Sequence, residues 1–212
     1  MKASSLADAA SAGDDAMRTR ILRAAFKAFT DNGYAGTSTL QIATRAKVSK
    51  RDLYAIFPNK QAMLVSCIRT RLEKMRMPAE LPPPATREAL ASTLTTFGTI
   101  LLTETFHPTV VAMFRLAIAE AERSPEVARA IDAGRKAARQ TVSELVAHAQ
   151  SLGHLPPGDP STMADRFLAL LREDVMMSLL LGVATPPSQA RIEARAADAA
   201  HAFLEICSAS NG

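Results

Sequence analysis

The sequence predicts an all-α protein, and three observations predict it. Apolar residues recur at helical spacing along most of the chain. All twelve prolines fall where that spacing places helix ends or linkers. No stretch alternates apolar and polar residues as a half-buried strand does. The expected architecture is nine helices: a three-helix N-terminal helix-turn-helix domain and a larger C-terminal helical bundle.

Residues 1–16 are small and polar with little to bury, and read as a disordered tail. From Met17 a first helix places Ile21, Leu22, Ala25, Phe26 and Phe29 on one face, and Asn32-Gly33 should end it. Two short helices follow. Thr37 or Ser38 can cap the first, and Ser38-x-x-Gln41 reads as a capping box. Ser49 can cap the second, with only Ala46-Lys47-Val48 between the two. Asn59 then caps a longer helix carrying Leu64, Ile68, Leu72 and Met75. Met77–Ala85 holds four prolines and reads as a linker. Five more helices are expected over about 86–104, 108–122, 125–152, 160–182 and 188–208, started by Thr86, Pro108, Ser124-Pro125, Asp159-Pro160 and Ser188. Gly98 and Gly134 sit inside two of them and mark either close packing or a bend.

The 212 residues include 25 Lys+Arg and 21 Asp+Glu, a net charge of +4. That balance hides an asymmetry. Met17–Arg76 carries 13 basic and 3 acidic groups, while residues 77–212 carry 11 and 15. A basic quarter on an acidic remainder points either to a polyanionic partner or to a solvated helix coat. Composition is otherwise that of a soluble globular protein, with 48% hydrophobic and 22% charged residues. Cys67 and Cys207 lie too far apart for a metal knuckle and too few for a disulfide framework, so a reducing, cytoplasmic setting is expected. The apolar run Val175–Ala184 is too short to span a membrane. No secretory pattern opens the chain.

Two short helices joined by a tight turn can set the second in a DNA major groove, and here both fall in the basic segment. In the second, Leu53, Ile56 and Phe57 share a face and should anchor it. Lys50, Arg51, Asp52 and Tyr54 fall on the outer side, where Lys and Arg suit guanine edges or phosphates and a tyrosine hydroxyl suits a phosphate. Free N–H groups at helix starts near Thr37, Ser49 and Lys60 also suit phosphate oxygens.

Residues 17–64 resemble the N-terminal domain of TetR/AcrR transcriptional regulators. The resemblance is carried by Ile21-Leu22-Ala24-Ala25-Phe29, Gly33-Tyr34, Thr37-Ser38, Ile42-Ala43 and the run V-S-K-x-x-L-Y-x-x-F-x-x-K from Val48 to Lys60. It implies double-stranded operator DNA as partner. By position it assigns phosphate contacts to Thr37, Thr39, Tyr54 and Lys60, a phosphate or base contact to Gln41, and the groove-facing start of the recognition helix to Ser49, Lys50, Arg51 and Asp52. Three features depart from the family pattern: Lys47 replaces a turn glycine and adds a phosphate contact, Arg51 replaces a glycine, and Ala55-Ile56 replace Tyr-His. Leu40 stands where many relatives carry a polar residue.

Phe114-Arg115-Leu116, Ile118–Ala121, Ser124-Pro125-Glu126, Phe167–Arg172 and Leu179–Gly182 are similar to the AefR-like C-terminal domain of the same family. That resemblance implies a helical domain, residues 64–208 after a DNA-binding domain at 17–63, that binds a small effector and forms a homodimer through its last two helices. Phe167, Leu170, Leu171, Val175, Leu179, Ile192, Ala196, Ala199 and Phe203 would form the dimer interface. Phe97, Phe106, His107, Met113, Phe114, Met176 and Met177 suit either the core or a pocket for an apolar ligand.

Cys67 suits packing better than a redox switch. Arg172-Glu173-Asp174 is either a solvated face or a polar cluster at the interface. His148 and His154 have no metal-ligand partner in local sequence, and no catalytic motif is present, so neither metal, cofactor nor enzyme activity is expected. The expected function is a homodimeric repressor released from a palindromic operator by an apolar or amphipathic ligand. The rivals are a ligand-independent regulator or an activator, and a small all-α enzyme or carrier binding an acidic metabolite.

Overall fold

A computed structural model describes residues 2–73, 83–123, 125–172 and 174–209, with side chains between Gly13 and Ser208. All regular structure among these residues is helical. The elements are α1 (Lys2–Asn32), α2 (Thr39–Ala46), α3 (Lys50–Ile56), α4 (Lys60–Glu73), α5 (Arg87–Thr105), α6 (Pro108–Ala119), α7 (Pro125–Ser151), α8 (Pro160–Arg172), α9 (Val175–Leu181) and α10 (Gln189–Ala209). The chain forms two compact units, Met1–Thr70 with Leu116–Ala130, and Arg71–Arg115 with Ile131–Gly212.

Local chemistry explains most helix starts. Ser38 accepts from the Gln41 N–H at 3.1 Å and Gln41 Oε1 accepts from the Ser38 N–H at 2.7 Å, completing the capping box of α2. Asn59 caps α4 through the Ala62 N–H at 2.7 Å, and Thr86 caps α5 through the Ala89 N–H at 3.1 Å. Pro108, Pro125 and Pro160 each occupy a first helical position, where a missing N–H costs nothing. α1 ends at Asn32, and Gly33 follows with φ of 71°. The Ser124 cap and Met77–Pro82 of the linker lie outside the described residues.

Two expectations are corrected. Helix α1 begins at Lys2, within the segment read as a tail. Five alanines lie between Ala3 and Ala12, and alanine is the strongest helix former, so this backbone needs no buried face to be helical. The single helix expected over 160–182 is two, which makes ten helices. α8 stops because Arg195 of α10 donates to the carbonyls of Leu170 and Leu171, satisfying the end of α8 from outside. Chain geometry then breaks at Asp174, and α9 restarts at Val175. Glu173 lies outside the described residues.

In the first unit, α1 packs on α2 and α2 on α3. Ile21, Ala25, Phe29, Ile42, Leu53, Phe57 and Leu64 are buried there, while Leu22, Phe26 and Ile56 are half-buried. The segment 116–130 adds buried Ala117, Glu120 and Val127 to this unit.

In the second unit, α10 packs on α5 and α8. The core runs through Leu94, Phe97, Val142, Val146, Phe167 and Phe203, with the rings of Phe167 and Phe203 edge to face at 5.8 Å. Both mid-helix glycines mark close packing. A Cβ on Gly98 would lie 2.9 Å from Leu171 Cδ1, and one on Gly134 would overlap the side chain of Leu72. Among the described residues no helix is long and apolar enough to cross a membrane.

Candidate nucleic-acid interface

Helix α3 is held from beneath by Leu53 and Phe57, both buried, so its other side is left outside. There Lys50, Arg51, Asp52 and Tyr54 are exposed, as expected. Ser49 caps the helix, accepting from the Asp52 N–H at 3.0 Å, and its hydroxyl donates to the Asp52 carboxylate at 2.6 Å. This pair holds the helix start. Arg51 projects with no side-chain partner among the described residues. The Lys50 ammonium lies 5.9 Å from the centre of the Tyr54 ring. Tyr54 in turn meets Thr39, their hydroxyl oxygens 3.1 Å apart, which joins the outer side of α3 to the start of α2. Two hydroxyls so paired present one donor to a third oxygen, the geometry a phosphate needs. Gln41 is exposed, its Oε1 taken by the capping box and its NH2 group available.

Two expected phosphate contacts face inward. Thr37 is 3% exposed, with its hydroxyl 2.9 Å from the Ala28 carbonyl and 2.7 Å from that of Gly33. It ties the turn after α1 and presents no side chain to solvent. Lys60 donates to the carbonyls of Tyr34 and Thr37 at 2.6 and 2.9 Å, with its ammonium 4.1 Å from the Tyr34 ring centre. Burial holds this lysine below its ordinary value, opposed by the Glu120 carboxylate. Burial and the Glu120 and Glu126 charges raise Tyr34. Lys60 therefore fastens the protein's own backbone. Family position assigned both residues to DNA, and only the folded turn reveals their direction.

Lys47 is exposed at the turn with φ 55° and ψ 48°, alone among described non-glycine residues in the left-handed region. Its N–H closes α2 onto the Ala43 and Thr44 carbonyls. Sequence reasoning missed four further cations beside it, Arg20, Arg23, Lys27 and Arg45. Their charge was countable, but the approach of α2 to α1 was not.

The residues proposed for an effector pocket and a dimer face separate on burial. Phe97 and Met113 are packed core, Phe114 and Met176 half-buried, His107 and Met177 exposed. Phe106 borders a crevice of about 10 Å³ with Leu102, Leu171, Val175 and Ile192, room for about one water. Of the dimer candidates, Phe167, Leu171, Leu179, Ile192, Ala196, Ala199 and Phe203 belong to the chain's own core, with Leu170 and Val175 half-buried against it. That face is packed within one chain. Burial pushes the Cys67 thiol up to about 12, and its S–H donates to the Leu22 carbonyl at 3.5 Å, which matches a packing role. Among the described residues no cluster of His, Cys, Asp and Glu could hold a metal.

An exposed, capped recognition helix on a basic three-helix head, followed by a helical body, defines a helix-turn-helix DNA-binding regulator. The sequence pattern described as bacterial regulatory proteins of the tetR family matches residues 21–67, and that of the AefR-like transcriptional repressor C-terminal domain matches 92–207. The chain belongs to the TetR family of transcriptional regulators. A TetR-family regulator from Mesorhizobium loti superposes with a TM-score of 0.75 at 22% identity, covering 91% of this chain and 97% of that one. The flavonoid-responsive regulator FrrA does so with a TM-score of 0.72 at 29% identity, covering 91% and 97%. FadR from Bacillus subtilis, solved with stearoyl-CoA, gives a TM-score of 0.63 at 17% identity over 88% and 97%. The uncharacterized HTH-type regulator YuxN of Bacillus subtilis is 34% identical over 77 residues, 33% of this chain and 26% of that protein. The chain thus matches about a quarter of that curated relative's length.

Proposed function

We propose that the protein is a homodimeric repressor that binds a palindromic operator through α3 and leaves it when a small apolar or amphipathic molecule enters the domain at 64–208. The carrying observation is the outer side of the head, where Lys50 and Arg51 stand exposed beside the Tyr54–Thr39 hydroxyl pair. Lysine and arginine there suit guanine O6 and N7, and the hydroxyl pair suits the flanking phosphate. One seven-residue helix reads few base pairs, so two heads on successive half-sites fit the geometry. Helices α8 and α10 leave Ala169, Ala190, Ala194 and His201 exposed, with Ala197 half-buried between them, a face through which two copies can pair. The flavonoid named for one relative and the stearoyl-CoA bound to another support an amphipathic effector of this chain. A second reading is a regulator that needs no ligand, since Phe97, Phe106 and Met113 are packed in the chain's own core.

Fluorescence anisotropy with DNA from upstream of the protein's own coding sequence tests the DNA reading. Tyr54→Phe is expected to weaken binding about five- to tenfold, the worth of one hydrogen bond. Lys50→Ala is expected to lower discrimination between operator and unrelated duplex. Equal binding of both duplexes by the unmodified protein would sink the operator reading. A thermal-shift series with flavonoids and long-chain acyl-CoAs tests the effector. Midpoints that stay flat for every compound leave the ligand-independent reading standing.

A further inference from the structure

Five cations of the head line one cleft, and none of them belongs to α3. Arg20, Arg23 and Lys27 follow one another at spacings of three and four along the exposed side of α1. Arg45 and Lys47, at the end of α2, face them across a cleft of about 340 Å³ floored by Ala24 and Ala46. One acid stands at its edge: Asp31 binds Lys27 at 3.3 Å and Arg45 at 3.1 Å, so five cations meet a single carboxylate. Lys47 holds a left-handed backbone that glycine adopts freely and lysine does not. A strained residue points to a role that its side chain alone supplies, and here the side chain adds charge at the cleft.

The position of the cleft indicates its occupant. Helix α2 has eight residues and is about 12 Å long. Thr39, with Tyr54, stands at its first residue and Lys47 just past its last. The two ends are thus separated by about the ~12 Å width of a B-DNA major groove. From Arg20 to Lys27 the α1 cations extend over about 10 Å, room for two or three phosphates along one strand.

We propose that this cleft is a second phosphate-binding surface, gripping the strand opposite the one met by Tyr54 and Thr39, across the groove that α3 enters. The proposal rests on the DNA-binding reading. Flexible side chains without a fixed fork of backbone donors make the contact indifferent to sequence, so it adds affinity and salt dependence but no base preference.

The test compares the unmodified protein, the triple variant Arg20→Ala/Arg23→Ala/Lys27→Ala, and Lys47→Gly. Anisotropy is measured on the upstream duplex and on an unrelated one from about 50 to 300 mM KCl, with circular dichroism to monitor folding. Each lost phosphate contact lowers the salt slope by about 0.9. The triple variant is expected to lose about two to three from the slope and roughly 10²-fold in affinity near physiological salt, with its preference between duplexes kept. Lys47→Gly is expected to lose about one from the slope while its thermal midpoint rises, because glycine relieves the strain. If the triple variant unfolds, Lys47→Gly decides alone. An unmodified slope in either folded variant overturns the cleft, as does a loss confined to the preferred duplex. If the unmodified protein binds neither duplex, it is the DNA-binding reading that fails.

Discussion

Replacing Lys60 by Met separates two roles for this lysine, a fastener within the head and a contact to DNA. In the structure its ammonium donates to two carbonyls, of Tyr34 and Thr37, and lies over the Tyr34 ring. A hydrogen bond from a charged donor contributes about 1.5–3 kcal/mol when well shielded. Lys60 is half-buried, so water partly replaces it, and about 1 kcal/mol for each bond is the better figure. The cation over the ring adds about 0.5 kcal/mol. Lys60→Met should therefore cost roughly 2 kcal/mol, a fall in thermal midpoint of about 4–8 °C for a chain of this size. The salt slope of DNA binding should not change, because no phosphate contact is lost. Differential scanning calorimetry and anisotropy against salt give the two numbers. An unchanged midpoint with a slope lower by about 0.9 would rule out the fastening role and return Lys60 to the DNA face.

Three further outcomes follow from packing and burial. Folding raises the Cys67 thiol from 9.0 to about 12, so the folded protein keeps a proton that the unfolded chain releases. That contribution is complete below pH 9 and is lost as pH rises towards 12, roughly 2 kcal/mol by about pH 10.5. Urea unfolding at pH 8 and about 10.5 should show a shallower alkaline loss in Cys67→Ala than in the unmodified protein; parallel losses would contradict the assignment. Gly98→Ala gains about 1 kcal/mol of helix propensity but meets Leu171 and Ala196, which costs about 1–3 kcal/mol. A net destabilisation near 1 kcal/mol is expected, and a midpoint that rises would show the neighbours yielding. For copies paired as proposed, Ala194→Arg should shift sedimentation from dimer to monomer at least tenfold in concentration and weaken DNA binding with it; an undisturbed dimer would place the interface elsewhere.

What could be read from sequence was local. Ser38 with Gln41, Asn59 and Thr86 cap their helices because a cap needs only the next three residues. The apolar spacing of α1 and the Leu53–Phe57 pair identified the buried side of the head for the same reason. What sequence left unread was set by distant partners. The break between α8 and α9 has no glycine or proline to announce it; it depends on Arg195, more than twenty residues further on. Thr37 and Lys60 turn inward because the bend after Gly33 sets them against backbone carbonyls of Ala28, Gly33 and Tyr34. The basic cleft needs the end of α2 beside α1, a juxtaposition that a charge count along the chain does not contain.

Helix α10 separates burial within one chain from pairing between two. An apolar repeat says that one side of a helix is buried, and says nothing of what buries it. Here Ile192, Ala196, Ala199 and Phe203 are consumed by α5 and α8 of the same chain. The opposite side keeps Ala190 and Ala194 between polar residues, of which Glu193, Asp198, His201 and Glu205 are exposed, and Ala197 sits half-buried at its edge. Alanines bury little area, so a pair formed there draws little from apolar burial and much from how closely two backbones approach. Fit of that kind tolerates no bulk. A single arginine at Ala194 should separate the copies, whereas truncating Phe203 should unfold each chain and leave no dimer to measure.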